Sequence, residues 1–309
     1  MKSNSPLISP SKSNFLLLSA MLVGTACSPA EQEASGIRVM TFNIRYGTAN
    51  EPDDRDEWPQ RSARVEAVVR EFAPDIVGVQ EALRFQIDSL RSWFPIYAES
   101  GVGRDDGREA GEYSAILYRS DRFEVLAEST EWLSATPDVP GSATWGNEIP
   151  RIVTWARLRD RQSERTFYVY NTHWDHQSQP SRERSAVFLL HHIAARDHAD
   201  PVLVMGDFNA GEDNRAFRQL IGAPASAHAP ADAGSEGVGL TDTFRTMYPD
   251  SVTVGTFNGF EGDVAGPKID AILTSPGWLV RGAGIVRDRI GGRYPSDHYP
   301  VVTRLLLSR

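Results

Sequence analysis

Residues Pro201 to Asn209 read PVLVMGDFN, and this stretch decides the fold class. Val202 to Met205 is a short apolar run, and Gly206 breaks it to deliver a carboxylate and a carboxamide two positions apart. The run is a buried strand with Asp207 and Asn209 at its end. Period-two alternation puts those two side chains on one side and turns Phe208 the other way, into packing. The same residues also suit a strand followed by an Asx-type turn. An acid beside a neutral amide suits metal-assisted chemistry on a phosphate, provided that other polar groups arrive at other strand ends.

They do. Ile37 to Ile44 (IRVMTFNI) is a first strand with Asn43 at its carboxyl end. From Pro59 the pattern turns helical, with Val65, Val68, Val69 and Phe72 on one face, until Ala73-Pro74-Asp75 stops it. Ile76 to Gln80 is a second strand followed at once by Glu81, and Leu83, Ile87, Leu90 and Phe94 mark a second amphipathic helix. Strand, helix, strand, helix points to a layered α/β fold rather than a bundle. Gly101 to Gly111 reads as an exposed loop. Tyr113 to Tyr118 pairs with Phe123 to Leu126, and Arg151 to Leu158 with Thr166 to Asn171, across short turns that make the sheets mixed. His173 follows the last of these strands. Ser181 to Arg196 is helical, Ala223 to Gly239 is an Ala-, Gly- and Pro-rich surface loop, and Lys268 to Leu273 and Tyr299 to Leu307 are the last strands, with Asp297 and His298 just before the final one.

The chain has 309 residues, 40% of them apolar, which is enough for one large α/β domain. Lys2 and Lys12, the apolar run Phe15 to Val23 and small residues up to Cys27 form an export signal too short to span a membrane as a helix. Cys27 is the single cysteine, so intramolecular disulfides and multi-cysteine metal sites are excluded. Gly24-Thr25-Ala26-Cys27 resembles a bacterial lipobox, with Gly24 where Leu is usual. The expected organisation is a lipoprotein-type signal peptide over 1–26, a tether over 27–36 from a lipidated Cys27, and a catalytic domain over 37–309. The expected location is the bacterial cell envelope, held to the membrane by lipid, or, with an ordinary signal peptide in which Cys27 is incidental or removed, the periplasm or the exterior. Removal of residues 1–26, which hold two lysines and no acid, takes the formal charge from −9 to −11. That balance argues against a protein that coats long nucleic acid, since Lys and Arg must displace condensed counterions there. It favours a small phosphorylated substrate or a local basic pocket, and is still compatible with a nuclease whose bound cation supplies much of the positive charge.

The polar groups at strand ends are Asn43, Glu81, His173, Asp207, Asn209, Asp270, Asp297 and His298. The acids offer hard oxygen ligands for Mg²⁺ or Mn²⁺, and the histidines shuttle protons near neutral pH. In order, Thr41-Phe42-Asn43, Val79-Gln80-Glu81, Asn171-Thr172-His173, Gly206-Asp207-Phe208-Asn209, Lys268-Ile269-Asp270 and Ser296-Asp297-His298 resemble the endonuclease/exonuclease/phosphatase superfamily over Ile37 to Leu307.

The resemblance implies a four-layer α/β sandwich of two packed mixed sheets flanked by helices, and metal-dependent phosphoester hydrolysis with one or two ions. By it, Glu81 would hold the cation with Asn43 and Asp297. His298, oriented by Asp270, would be the general base. Asp207 would position or activate the nucleophile or hold a second ion, and Asn209 and His173 would stabilise the transition state. Glu112 matches a carboxylate that orients the first histidine, and Arg151 a phosphate-contacting arginine. The partner is then a phosphorylated small molecule or a nucleic acid. The alternatives are a secreted nuclease and a non-catalytic phosphate-binding surface lipoprotein.

Other residues have plainer readings. Asp175 and His176 line the pocket, accept a further ion or sit in a solvated loop. His191 and His192 are structural or exposed, Trp58, Trp145 and Trp174 are packing residues or stack on a base or sugar, and the Asp53-Asp54 pair is solvated.

Overall fold

The computed structural model describes Met1 and residues 36–222 and 239–308. The signal peptide, Cys27 and the tether up to Ser35, and residues 223–238 of the Ala-, Gly- and Pro-rich loop, lie outside the described residues. Among the described residues, no helix is long and apolar enough to cross a membrane.

Two six-stranded sheets form the molecule's centre. The first contains β1 (Ile37–Asn43), β2 (Ile76–Ala82), β3 (Tyr97–Ser100), β4 (Tyr113–Arg119), β11 (Trp278–Ile285) and β12 (Val301–Leu307), in the order β11-β12-β1-β2-β4-β3. The second contains β5 (Phe123–Trp132), β6 (Ile152–Asp160), β7 (Arg165–His173), β8 (Val202–Asp207), β9 (Thr241–Asp242) and β10 (Asp270–Thr274), in the order β5-β6-β7-β8-β10-β9. Each sheet has one parallel pair, β1 with β2 and β7 with β8, among antiparallel neighbours. The expected pairing of Tyr113–Tyr118 with Phe123–Leu126 does not form, because the short turn after β4 carries the chain to the other sheet, where β5 pairs with β6 while β4 pairs with β2 and β3. Helices α1 (Trp58–Phe72) and α2 (Arg84–Trp93) cover the first sheet, and α3 (Gln179–Ala194) and α4 (Arg215–Leu220) the second, with the short α5 (Thr243–Met247) beside β10.

Alternation along the strands sorts the side chains into layers. Met40 and Phe42 face Val65, Val68 and Leu90 on the helical side, while Val204 and Ala271 face Leu189, Ile193 and Phe217 on the other. The alternate residues, including Ile37, Val39, Ile76, Leu203, Met205, Val169 and Ile272, fill the space between the sheets. Followed towards one end of the sandwich, these inward rows turn polar: Val39 leads to Thr41 and Asn43, Met205 to Asp207, Val169 to Asn171 and His173, and Ile272 to Asp270. The cleft is therefore the polar end of the inter-sheet core.

A buried amide network joins the sheets just below it. Gln80 Nε2 donates to Asn171 Oδ1 at 2.6 Å and to Thr41 Oγ1 at 3.0 Å, and Asn171 Nδ2 donates to the carbonyls of Val79 and Ala115 at 3.0 and 2.8 Å. Gly78 makes room for it, because a Cβ there would stand 2.8 Å from both Asn171 Oδ1 and Met205 Cε. The sequence pattern misses the short β3, the edge strand β11 and the second half of β5, whose half-exposed residues carry little apolar periodicity.

Candidate active site

The pairing register assembles half of the cleft. His173 on β7 is the parallel partner of Asp207 on β8, and Asp270 on β10 is the antiparallel partner of the same Asp207, so three site residues form one row across adjacent strands. The approach of β7 and β8 requires Gly206, at φ 155°, where a Cβ would lie 2.1 Å from the Thr172 carbonyl oxygen.

The first sheet supplies the other half. Asn43 Nδ2 donates to Glu81 Oε1 and to Asp207 Oδ2, both at 3.0 Å, so one amide joins acids from the two sheets. Strict alternation would point Glu81 away from Gln80. Instead it sits at a bulge in the β2–β4 pairing with φ 60°, which re-aims its carboxylate into the cleft, where Tyr46 N donates to Oε2 at 3.1 Å. The loop before β12 adds His298, whose Nδ1 lies 2.9 Å from Asp270 Oδ2, with Nε2 3.8 Å from Asp207 Oδ2. His173 Nε2 is 3.5 Å from the same Asp207 oxygen. Asp297 accepts from Ser296 Oγ at 3.1 Å, and Ser296 Oγ also reaches the Asn43 carbonyl at 2.7 Å.

Burial drives several of these groups from their ordinary titration ranges. Burial, then the neighbouring Asp270, pushes Asp207 up to about 7. Burial also raises Asp297. For Glu81 the hydrogen bond from Asn43 and the charges of His298 and Arg45 outweigh burial, so its carboxylate is favoured. For His298 burial is opposed by Asp270 and Asp207, which hold its pKa well above the histidine range. His173 goes the other way, driven well down by burial and by Arg151 and Arg104, so it is neutral.

Three expectations meet a different local arrangement. Glu112 approaches His173 Nδ1 only to 4.0 Å, because its two oxygens are taken by Arg104 at 2.6 and 2.8 Å, and His173 Nδ1 has no hydrogen-bond partner. The loop Gly101 to Gly111 is accordingly not wholly exposed, since Gly103 is buried and Arg104 largely covered. Arg151 is buried, with Nε 3.4 Å from Asp175 Oδ2 and Nη2 2.9 Å from His176 Nδ1, while Nη1 has no partner; it lines one small cavity with Arg104, Glu112 and His173. Asp175 and His176 thus serve to hold Arg151. Asn209 leaves the alternating pattern at φ 45°: its N–H donates to Asp207 Oδ1 at 2.9 Å in an Asx turn, and its Nδ2 donates to the Trp174 carbonyl at 2.9 Å. Strand end and turn are both present.

The plainer readings fall into place with one change. Trp58 and Trp174 are buried against Trp93 and Phe208, and Trp145 packs on Phe188. His192 packs on Trp155 with Nδ1 3.1 Å from Tyr170 Oη, and His191 is exposed. Asp53 is not simply solvated, being held by Arg55 at 2.6 Å and Arg293 at 2.9 Å.

Sequence reasoning missed Arg45. Its Nε donates to Glu51 Oε1 at 2.8 Å and lies 3.6 Å from Asp297 Oδ2, while Nη1 is 3.9 Å from Glu81 Oε2. Burial works against this charge, but Asp297, Glu51 and Glu81 outweigh it and raise its pKa. A position two beyond Asn43, on a residue with φ 55°, is a signal visible only once the loop is built.

The donor set suits a hard divalent cation. Oxygens dominate it, Asp270 Oδ1 is buried with no hydrogen-bond partner, and Asp207, Asp270 and His298 can bring ligand atoms within 4.8 Å of one another. Within that trio Asp270 and His298 are also joined by a hydrogen bond of 2.9 Å.

Comparison with known proteins follows the same line. The model of the endonuclease/exonuclease/phosphatase family matches residues 40–298. The endonuclease/exonuclease/phosphatase from Bacteroides vulgatus superposes with a TM-score of 0.77 at 33% identity, over 89% of this chain and 100% of that one. The mannosyl-6-phosphatase of Bacteroides thetaiotaomicron superposes with a TM-score of 0.77 at 30% identity, over 88% of this chain and 100% of that one. The human Nocturnin catalytic domain shares the fold, at 18% identity and a TM-score of 0.67 over 88% of this chain and 95% of that one. No curated protein gives a significant sequence match. With the family model running from β1 to His298, the chain belongs to the endonuclease/exonuclease/phosphatase family.

Proposed function

We propose that the chain is a divalent-metal-dependent phosphomonoesterase acting on a small substrate, exported and held at the bacterial envelope by lipid on Cys27. The observation that carries the catalytic reading is the junction of two sheets at one polar cleft, where Asn43 bridges Glu81 and Asp207 and Asp270 holds His298. Glu81, Asn43 and Asp297 would hold the cation. When bound, such an ion polarises a phosphoryl oxygen and offsets charge that builds up during displacement.

The chain's own groups do the rest. Asp270 holds His298 through its Nδ1–H, so that Nε2, once deprotonated as pH rises through the elevated His298 pKa, takes a proton from water. Asp207, facing both histidines, positions that water on the second sheet's side. Neutral His173 donates from Nε2 towards the phosphoryl oxygens, and Arg151 Nη1 and Arg104 supply positive charge behind it. The acidic balance of the domain and the likeness to a mannosyl-6-phosphatase support a monoester with a small leaving group over a polynucleotide. The export reading rests on residues 1–26 and Cys27.

Phenyl phosphate, mannose 6-phosphate, bis-p-nitrophenyl phosphate and plasmid DNA, each with Mg²⁺ or Mn²⁺ and with EDTA, test this. Hydrolysis of the monoesters that EDTA abolishes and Mg²⁺ restores is expected. Turnover indifferent to EDTA, or turnover of DNA alone, overturns the reading. Loss of labelled-palmitate incorporation in Cys27→Ala checks the anchor.

A further inference from the structure

A second polar depression lies beside the cleft, with a volume of about 340 Å³, inside the range of roughly 300–1,000 Å³ usual for small-molecule sites. Its walls are the turn carrying Phe260 and Glu261, the segment Arg289 to Tyr294, and the loop at Asp53. The first two are fastened to the catalytic loop. The Asn258 and Gly259 N–H groups donate to the Asp297 carbonyl at 2.6 and 3.1 Å, and the Phe257 ring lies 5.2 Å from that of His298. Gly262, at φ 89°, lets the turn close on Tyr294, because a Cβ there would stand 2.4 Å from the Tyr294 hydroxyl. Tyr294 precedes Asp297 by three residues, a span of at most about 10 Å even when extended. A group leaving from the phosphate at the cleft can therefore lie in this groove.

The lining says what that group is. Arg293 is clamped by Asp53 at 2.9 Å and by Asp56 at 3.1 Å, which gives a rigid rim of alternating charge. The Glu261 carboxylate and the Arg289 guanidinium are exposed and form no ion pair among the described residues. Facing one space, a carboxylate accepts from one hydroxyl while a planar guanidinium donates to its neighbour. Of the two rings in the lining, Tyr294 is covered by Arg289 at 4.8 Å and met edge-on by Tyr299 at 5.4 Å, while Phe260 is half-buried.

We infer that this groove is the leaving-group subsite and that it binds a polyhydroxylated, sugar-sized group, with Glu261 and Arg289 as its specificity-determining residues. The inference rests on the phosphomonoesterase reading and names its substrate class.

The test compares wild type, Glu261→Gln and Arg289→Met on mannose 6-phosphate and phenyl phosphate with Mg²⁺. Both substitutions are on exposed side chains. The expected result is a five- to tenfold rise in KM for mannose 6-phosphate with kcat held, so that its kcat/KM relative to phenyl phosphate falls by the same factor. A ratio that does not move, or a KM that rises equally for phenyl phosphate, overturns the sugar assignment. Calorimetric titration of the EDTA-treated proteins with mannose 6-phosphate makes the same comparison without turnover. Weaker binding in the variants with no hydrolysis by wild type would sink the phosphatase reading alone, whereas equal binding in all three would sink the groove.

Discussion

Arg45→Met should destabilise the EDTA-treated protein and tighten its hold on a divalent cation. The guanidinium stands 2.8 Å from Glu51, 3.6 Å from Asp297 and 3.9 Å from Glu81, so its removal leaves three partly covered carboxylates facing one another. At about 4 Å and an effective dielectric near 20, each such pair attracts by about 4 kcal/mol before desolvation is counted. The side chain keeps 27% exposure, and solvent screening together with the recovered desolvation cuts the net loss to about 2 kcal/mol. Methionine keeps the bulk of the aliphatic stem while deleting the charge and the guanidinium's contact with the Tyr46 ring, 4.8 Å away. In a domain of this size about 2 kcal/mol lowers Tm by roughly 4–8 °C. Melts followed by circular dichroism in EDTA should show that gap, and melts in millimolar Mg²⁺ should narrow it, because the cation replaces the missing positive charge. Calorimetry should show Mg²⁺ affinity at least about tenfold higher, equivalent to about 1.4 kcal/mol. A gap that Mg²⁺ leaves unchanged, or weaker Mg²⁺ binding, would show that Arg45 does not compete for the cation's carboxylates.

Other perturbations read different parts of the molecule. Asp270→Asn removes the carboxylate 2.9 Å from His298 Nδ1 and should lower kcat on the order of 10²–10⁴-fold. Since Asp270 raises the His298 pKa and a base acts deprotonated, the rising limb of the pH–rate profile should also move to lower pH; a limb that stays put refutes the pairing. Asp207 has a folded pKa of about 7 against an ordinary 3.8, so the unfolded chain releases this proton first and stability falls as pH rises between the two values. Asp207→Asn should therefore stabilise the EDTA-treated fold by about 0.5–2 kcal/mol above pH ~7, with the gain shrinking towards pH ~4 in urea titrations, while turnover disappears. Gly78→Ala forces a methyl against Asn171 and Met205 and should cost about 1–3 kcal/mol in the same urea assay, where an unchanged midpoint would mean that the inter-sheet layer has slack.

Much of the site was legible because it lies at the ends of strands whose apolar runs are plain in the sequence. Asn43, His173, Asp207 and Asp270 each end or begin such a run, and pairing register brings the last three together. What was not legible depends on contacts between distant positions. Gln80 and Asn171 stand 91 positions apart and meet only because the sheets stack. Glu81 faces the cleft through a left-handed residue at a bulge, which no periodicity encodes. Arg104 looked like one more charge in a glycine-rich loop, yet it holds Glu112 and keeps that carboxylate from His173. Alternation likewise failed at Asn209, where the backbone leaves the extended region at φ 45°.

The Asn43–Asp207 hydrogen bond, 3.0 Å long, spans the gap between the two halves of the sandwich and so works as a caliper. Glu81 and Asn43 ride on one jaw, and His173, Asp207 and Asp270 on the other. Slippage of the jaws by about 1 Å is enough to cost a reaction on the order of 10²-fold, while every strand ladder within each jaw stays intact. Turnover should then fade ahead of unfolding on heating. Substitutions that disable the enzyme should map onto the apolar layer between the jaws as well as onto the cleft.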